Sequence, residues 1–180
     1  MNGLTGTRRL ARPVRISLAR QLGADIDGAW WPHSASVAAE LPELIGVLHT
    51  PLGEIVDICI NWSAGQGAFD FNAIVTGARS TDRPGPRRPR LMVLQGRAAC
   101  AKLLVVPYMT SQTLGTMVMR CAAGMHDLRS DGDSPMLEVA HSVISVAKIE
   151  SSRWTSTMRG MAAKELTAQV VRNGNPSVDA

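Results

Sequence analysis

Two tryptophans stand side by side in the run Asp27-Gly28-Ala29-Trp30-Trp31-Pro32, in a chain that is only 4% aromatic. Neighbouring side chains of an extended segment point to opposite faces, so the pair predicts a strand with one indole in a core and the other covering a second surface. Asp27-Gly28 is a turn-type pair. Pro32 brings no amide hydrogen with which to continue a ladder, so the strand is short and terminated. The residues Asp27, Gly28, Trp30, Trp31 and Pro32 therefore read as an architectural signature.

A chain of 180 residues with 45% hydrophobic content is long enough for one domain with a real core, or one domain with an appendage. Its longest apolar stretches, such as Leu103 to Val106 and Val143 to Ala147, fall far short of the roughly 18 residues of a bilayer span. No membrane association is expected. Arg8, Arg9, Arg12 and Arg15 are not followed by an uninterrupted apolar stretch, which argues against a secretory signal and for a cytoplasmic protein. Cys59, Cys100 and Cys121, odd in number and widely spaced, suit reduced thiols better than a disulfide framework.

Along the chain, Pro13 to Ala19 alternates apolar and polar residues, the period of a half-buried strand. Ser34 or Ser36 caps a helix expected over about 35–48, with Val37, Leu41, Leu44, Ile45 and Leu48 recurring at three and four residues. Pro42 either opens that helix or weakens it. Gly53 to Trp62 and Asn72 to Thr76 are β-branched and read as strands. Residues 77–89, with three prolines and four arginines, form a surface connection. Leu91 to Gln95 and Leu103 to Pro107 make a hairpin across Gly96 to Lys102. Thr110 or Ser111 caps a second helix through Leu114, Met117, Val118 and Cys121, which Gly124 ends in a left-handed conformation. Met136 to Ile149 is apolar enough for a buried helix or a strand, the helix being favoured, and Trp154, Met158, Met161, Leu166 and Val170 mark a final amphipathic helix.

The expected architecture is α+β: an antiparallel sheet with helices packed on one side, plus a helical C-terminal extension. It divides into a basic arm (1–12), a core domain (13–124), a linker (125–134), the helical extension (135–172) and a frayed tail (173–180).

The run at Asp27 to Pro32, followed by Glu40-Leu41-Pro42 and Leu44, resembles an uncharacterised family of small actinobacterial proteins whose shared signature is D-G-A-W-W-P, then E-L-P-x-L. The resemblance extends through the strand ending at Trp62 and through Leu103 to Pro107, covering residues 13 to 124. It implies a compact α+β unit with several antiparallel strands and helices on one side. It brings no activity and no catalytic residue. The Arg/Pro-rich connection at 77–90 and the stretch after Gly124 depart from the family's short members.

Charge is distributed in blocks. Residues 1–20 hold five arginines and no acid, and residues 21–78 hold seven acids and no Lys or Arg. Residues 79–102 hold seven basic groups against Asp82 alone. Either the basic blocks neutralise the acidic one, or they form an anion-binding patch built from Arg8, Arg9, Arg12, Arg15, Arg79, Arg83, Arg87, Arg88 and Arg90. The second alternative is electrostatic nucleic-acid binding, although no reading motif accompanies it.

Catalytic and metal patterns are missing from the sequence. His33, His49, His126 and His141 stand singly, without a ligand partner at i+4, so no metal is expected. Ser34 and Ser63 lack nucleophile-elbow glycines. Gly65-Gln66-Gly67 has Asp70 where a third phosphate-binding glycine would stand, so no nucleotide cofactor is expected. Nothing fixes Asp25, Asp27, Glu54, Asp57 and Asp70 around a common pocket. The reading favoured by the sequence is a non-enzymatic cytosolic binding or assembly module, with no cofactor. Its C-terminal helices, rich in methionine, associate with a protein partner or a second copy. A small-molecule enzyme or ligand binder with a pocket near Trp30 and Trp31 is the remaining alternative.

Overall fold

The computed structural model describes residues 12–63, 71, 88–125 and 135–173. The strand expected at Asn72 to Thr76 lies outside the described residues. Eight elements follow in order: β1 (Ile16–Leu18), β2 (Gly28–Trp30), α1 (Val37–Leu52), β3 (Ile55–Ile60), β4 (Arg90–Gly96), β5 (Cys100–Val105), α2 (Gln112–Ala122) and α3 (Pro135–Asn173). The strands form one sheet in the order β1-β2-β5-β4-β3. Every neighbouring pair is antiparallel except β2 and β5, which run parallel.

The expected hairpin is β4 and β5, closed where the Gly96 N–H donates to the Ala99 carbonyl. Its strands are apolar on both sides, because Met92, Leu94, Leu103 and Val105 alternate with Leu91 and Leu104. A sheet of that kind must be covered twice. Leu44, Leu48 and Leu52 of α1, one helical turn apart, pack on the first set. Leu114 and Val118 of α2, with Leu137, Ala140, Val143, Ile144 and Ala147 of α3, pack on the second. The α+β class and the sheet are as expected, with one correction: helices lie on both faces of the sheet, not on one. Trp30 belongs to the α1 side and Trp31 to the other.

The end of one helix differs instructively from the sequence pattern. α1 runs past 48 to Leu52 with Pro42 and Pro51 inside it, because the buried stripe Leu44-Leu48-Leu52 outweighs the amide donors those prolines lack. It stops at Gly53, whose φ of +74° is left-handed and whose N–H donates to the His49 carbonyl. α2 ends as expected: Gly124 has φ +67°, its N–H donates to Cys121, and the Met125 N–H donates to Arg120, a Schellman motif.

The two helices expected after residue 135 are a single one of 39 residues, roughly 58 Å long at 1.5 Å per residue. Polar residues from Glu150 to Arg153 interrupt the apolar stripe but not the helix. Ser151 is buried there and its hydroxyl donates to the Asp25 carbonyl at 2.7 Å. Beyond it α3 leaves the sheet, and residues 156–169 are exposed throughout.

Candidate functional site

The tryptophan run is held from all sides. Trp30 and Trp31 are 1% and 2% exposed. Asp27, also buried, accepts hydrogen bonds at Oδ1 from the Gly23 and Ala24 N–H groups (2.7 and 2.9 Å) and at Oδ2 from the Lys102 N–H (2.9 Å). It thereby fixes the turn before β2 and the parallel pairing with β5. Gly28 lies against the Ser17 carbonyl so closely that a Cβ would collide with backbone. The Arg15 guanidinium stacks 3.8 Å from the centre of the Trp31 ring and donates to the Trp31 and Pro32 carbonyls at 3.0 and 2.6 Å. Burial lowers the pKa of Arg15, Glu40 pulls it up and Arg12 pushes it down again, with a net lowering.

Glu40, on the first turn of α1, reaches back to the end of the same run. Its carboxylate accepts from the His33 N–H (2.8 Å) and the Ser34 hydroxyl (2.7 Å). Burial alone would raise its pKa, but the hydrogen bonds from His33 and Ser34 outweigh that and hold it below the ordinary value.

Four of the arginines singled out from the sequence fall among the described residues, and three of them are engaged within the fold. Arg15 serves Trp31; Arg90 lies 5.5 Å over the Trp62 ring, its pKa lowered by burial; Arg88 approaches Glu150 at 3.8 Å. Arg12 is exposed. Arg97 pairs with Glu54, so one basic group does neutralise an acidic one as the charge blocks suggest. Arg8, Arg9, Arg79, Arg83 and Arg87 lie outside the described residues, as do His126, Gly65-Gln66-Gly67 and Asp70. Among the described residues no group of three or more His, Cys, Asp or Glu is placed to hold a metal ion.

Two surface clefts open at the end of the sheet where β5 finishes and β4 begins. One, about 240 Å³, is mostly apolar, with Pro32, Val37, Val105, Pro107 and Tyr108 around Arg90. The other, about 330 Å³, opens between the end of β3 and α3 and has a tryptophan on each side, Trp62 and Trp154. Arg88, Arg153, Asn61 and Glu150 complete it. Trp30 and Trp31 line neither cleft. The Glu150 side chain is only 8% exposed, and its Oε1 meets Arg88 and, at 3.5 Å, the Asn61 amide. Asn61 is locked in turn: its amide nitrogen donates to the Pro89 carbonyl and its oxygen accepts the Leu91 N–H.

A second surface starts at the same place. Leu137, Ala140, Ile144, Ala147, Ser151, Trp154, Met158 and Met161 recur at alternating three and four residues along α3, the spacing of a helix-pairing seam. The first five are buried in the fold and Trp154 is half-buried. Met158 and Met161, 44% and 64% exposed, continue the same stripe into solvent.

Residues 15–122 match a family of unknown function, DUF5994. The chain belongs to that family. No curated protein and no solved structure matches it. The DUF5994 region contains the tryptophan run, the whole sheet, α1 and α2. α3 lies beyond the match, although its first half fills the core against Trp31. The larger cleft is therefore composite, with Trp62, Asn61 and Arg88 from the DUF5994 region and Glu150, Arg153 and Trp154 from α3. Reasoning on the sequence missed it. The one signal was the polar break at 150–153 in a helix otherwise striped with apolar residues. No helix among the described residues is long and apolar enough to cross a membrane.

Proposed function

We propose that this chain is a non-enzymatic, cytoplasmic assembly module in which the exposed half of α3 pairs with the same segment of a second copy. The observation that carries the reading is the spacing along α3: the three-and-four repeat that buries Leu137 to Ser151 against the fold, with Ser151 its one polar member, runs on into Met158 and Met161, which are 44% and 64% exposed. A two-fold pair is self-complementary by construction, so each copy supplies the surface the other needs. Antiparallel pairing also opposes the helix dipoles. A binding role rather than a catalytic one is supported by the buried carboxylate Asp27, whose oxygens are taken up by hydrogen bonds inside the fold.

The energetics favour a reversible complex. Four methionine side chains leaving water contribute roughly 1.5–3 kcal/mol each at most, against an association cost of about 4–15 kcal/mol. Light scattering over a dilution series tests this. The expected mass falls from twice the 19.3 kDa of the chain toward 19.3 kDa as the protein is diluted, and the double variant Met158→Glu/Met161→Glu stays at 19.3 kDa. A wild-type chain that is monomeric at every concentration contradicts the reading.

Nucleic-acid binding is the second reading, and it rests on Arg12 and the arginines outside the described residues, since Arg15, Arg88 and Arg90 have partners in the fold. A steep salt dependence of binding to arbitrary DNA would favour it. We further propose that D-G-A-W-W-P followed by E-L-P-x-L is the signature of the family and that its members are actinobacterial. The hydrogen bonds joining Glu40 to His33 and Ser34 give the two halves a physical reason to occur together.

A further inference from the structure

The cleft between Trp62 and Trp154 has a composition that its place at the root of α3 does not require. Trp62 packs on the α1 side of the sheet and Trp154 on the other, so the two indoles come together only at this edge. Both line a space of about 330 Å³, at the small end of ligand sites and suited to a molecule of one or two rings, with Arg90 already over the Trp62 ring. The charges around them are unbalanced. Glu150 is buried and its Oε1 faces Arg88 at 3.8 Å and the Asn61 amide at 3.5 Å, so it sits at the floor while Arg88, its side chain 67% exposed, stands at the rim. Arg153 lines the same space, is exposed, and makes no ion pair among the described residues. Two guanidinium groups against one carboxylate leave an excess of positive charge. A cation would meet two arginines before it reached Glu150, whereas a carboxylate finds two forks of matching geometry.

We propose that this cleft binds a small aromatic carboxylate, its ring between Trp62 and Trp154 and its anionic group on Arg88 and Arg153. The cleft shares Trp154 with the α3 seam but is lined entirely from one copy, and the test keeps ligand binding and self-association apart. Three probes of one shape and different charge, 1-naphthoate, 1-naphthamide and 1-naphthylmethylammonium, are titrated calorimetrically into the full chain at low salt, with the oligomeric state of every variant checked by light scattering. Naphthoate binds at least ten-fold more tightly than the amide, and the ammonium binds weakest. Arg88→Gln and Arg153→Gln each weaken naphthoate several-fold and leave the amide unchanged, while Trp62→Leu weakens naphthoate and amide alike. The proposal is overturned if naphthoate shows no binding at millimolar concentration, if the amide or the ammonium binds as tightly, or if neither arginine variant changes the preference. Unaltered mass in the arginine variants assigns any loss to the cleft and not to pairing of α3.

Discussion

Gly115 on α2 faces the indole of Trp31 so closely that an added Cβ would lie 2.6 Å from the ring carbons. The second tryptophan of the run is therefore a spacer that sets how near α2 approaches the sheet. Ser17 adds a tie of its own, donating from its hydroxyl to the Met119 carbonyl at 2.6 Å.

Gly115→Ala weighs two effects against each other. Alanine improves helix propensity by up to about 1 kcal/mol, while overpacking a filled core costs about 1–3 kcal/mol. Trp31 is buried and clamped by Arg15, so it has no room to retreat and overpacking wins. The expected outcome is a net loss of about 1–2 kcal/mol, read as a lower urea midpoint with an unchanged slope. A stabilised variant would mean that the ring moves freely.

Asp27 is the other pivot of the same run. Asp27→Ala strands the Lys102 N–H at the β2–β5 junction and releases those of Gly23 and Ala24, which are exposed and turn to water. A loss of about 2 kcal/mol is expected, with Asp27→Asn losing less because one carbonyl oxygen remains. Equal losses for the two variants in chemical denaturation would show that the charge, and not the hydrogen bonds, is what counts.

Glu40 makes stability depend on pH with a definite sign. Its folded pKa lies below the ordinary value of 4.5, so its contribution is complete above that value and disappears as pH falls through the lower, folded one. Urea midpoints of the wild type and Glu40→Gln should therefore differ at pH 7 and converge as the solution is acidified below 4.5. A constant difference down to pH 3 would mean that the bonds to His33 and Ser34 do not discriminate between the two protonation states.

Exposed methionines predict the opposite kind of behaviour. Met158→Glu and Met161→Glu each place a charge on a solvent-facing helix, which changes the folding stability of an isolated chain by within about 0.5 kcal/mol. A Tm measured at high dilution should therefore be unaltered. One measured at high concentration should fall relative to wild type, because association stabilises the folded state by mass action. Equal shifts at both concentrations would place these residues inside the fold's own packing.

Local patterns carried much of the fold. The alternation around Ile16, the hairpin through Gly96, and the stop at Gly124 all depend on residues close in sequence, and each stands where its chemistry indicates. The helices on both faces were harder to read, because a consecutive pair such as Leu91 and Met92 shows an apolar run without saying what covers each side. α3 appeared as two helices because Glu150 to Arg153 lack apolar residues, whereas a helix backbone needs none to continue. The Trp62–Trp154 cleft was invisible for a stronger reason: its walls are 92 positions apart and meet only through the β3 edge.

The association surface is tested most directly by cross-linking at a single position. In the full chain, Met161→Cys treated with a short bismaleimide should give covalent dimers well above the wild-type background from Cys59, Cys100 and Cys121. Met109→Cys, on an equally exposed loop, should not. Adding Met158→Glu to Met161→Cys should remove the dimer. Equal yields at 109 and 161, or no dimer from Met161→Cys at concentrations where Met109→Cys labels fully, would contradict pairing through α3.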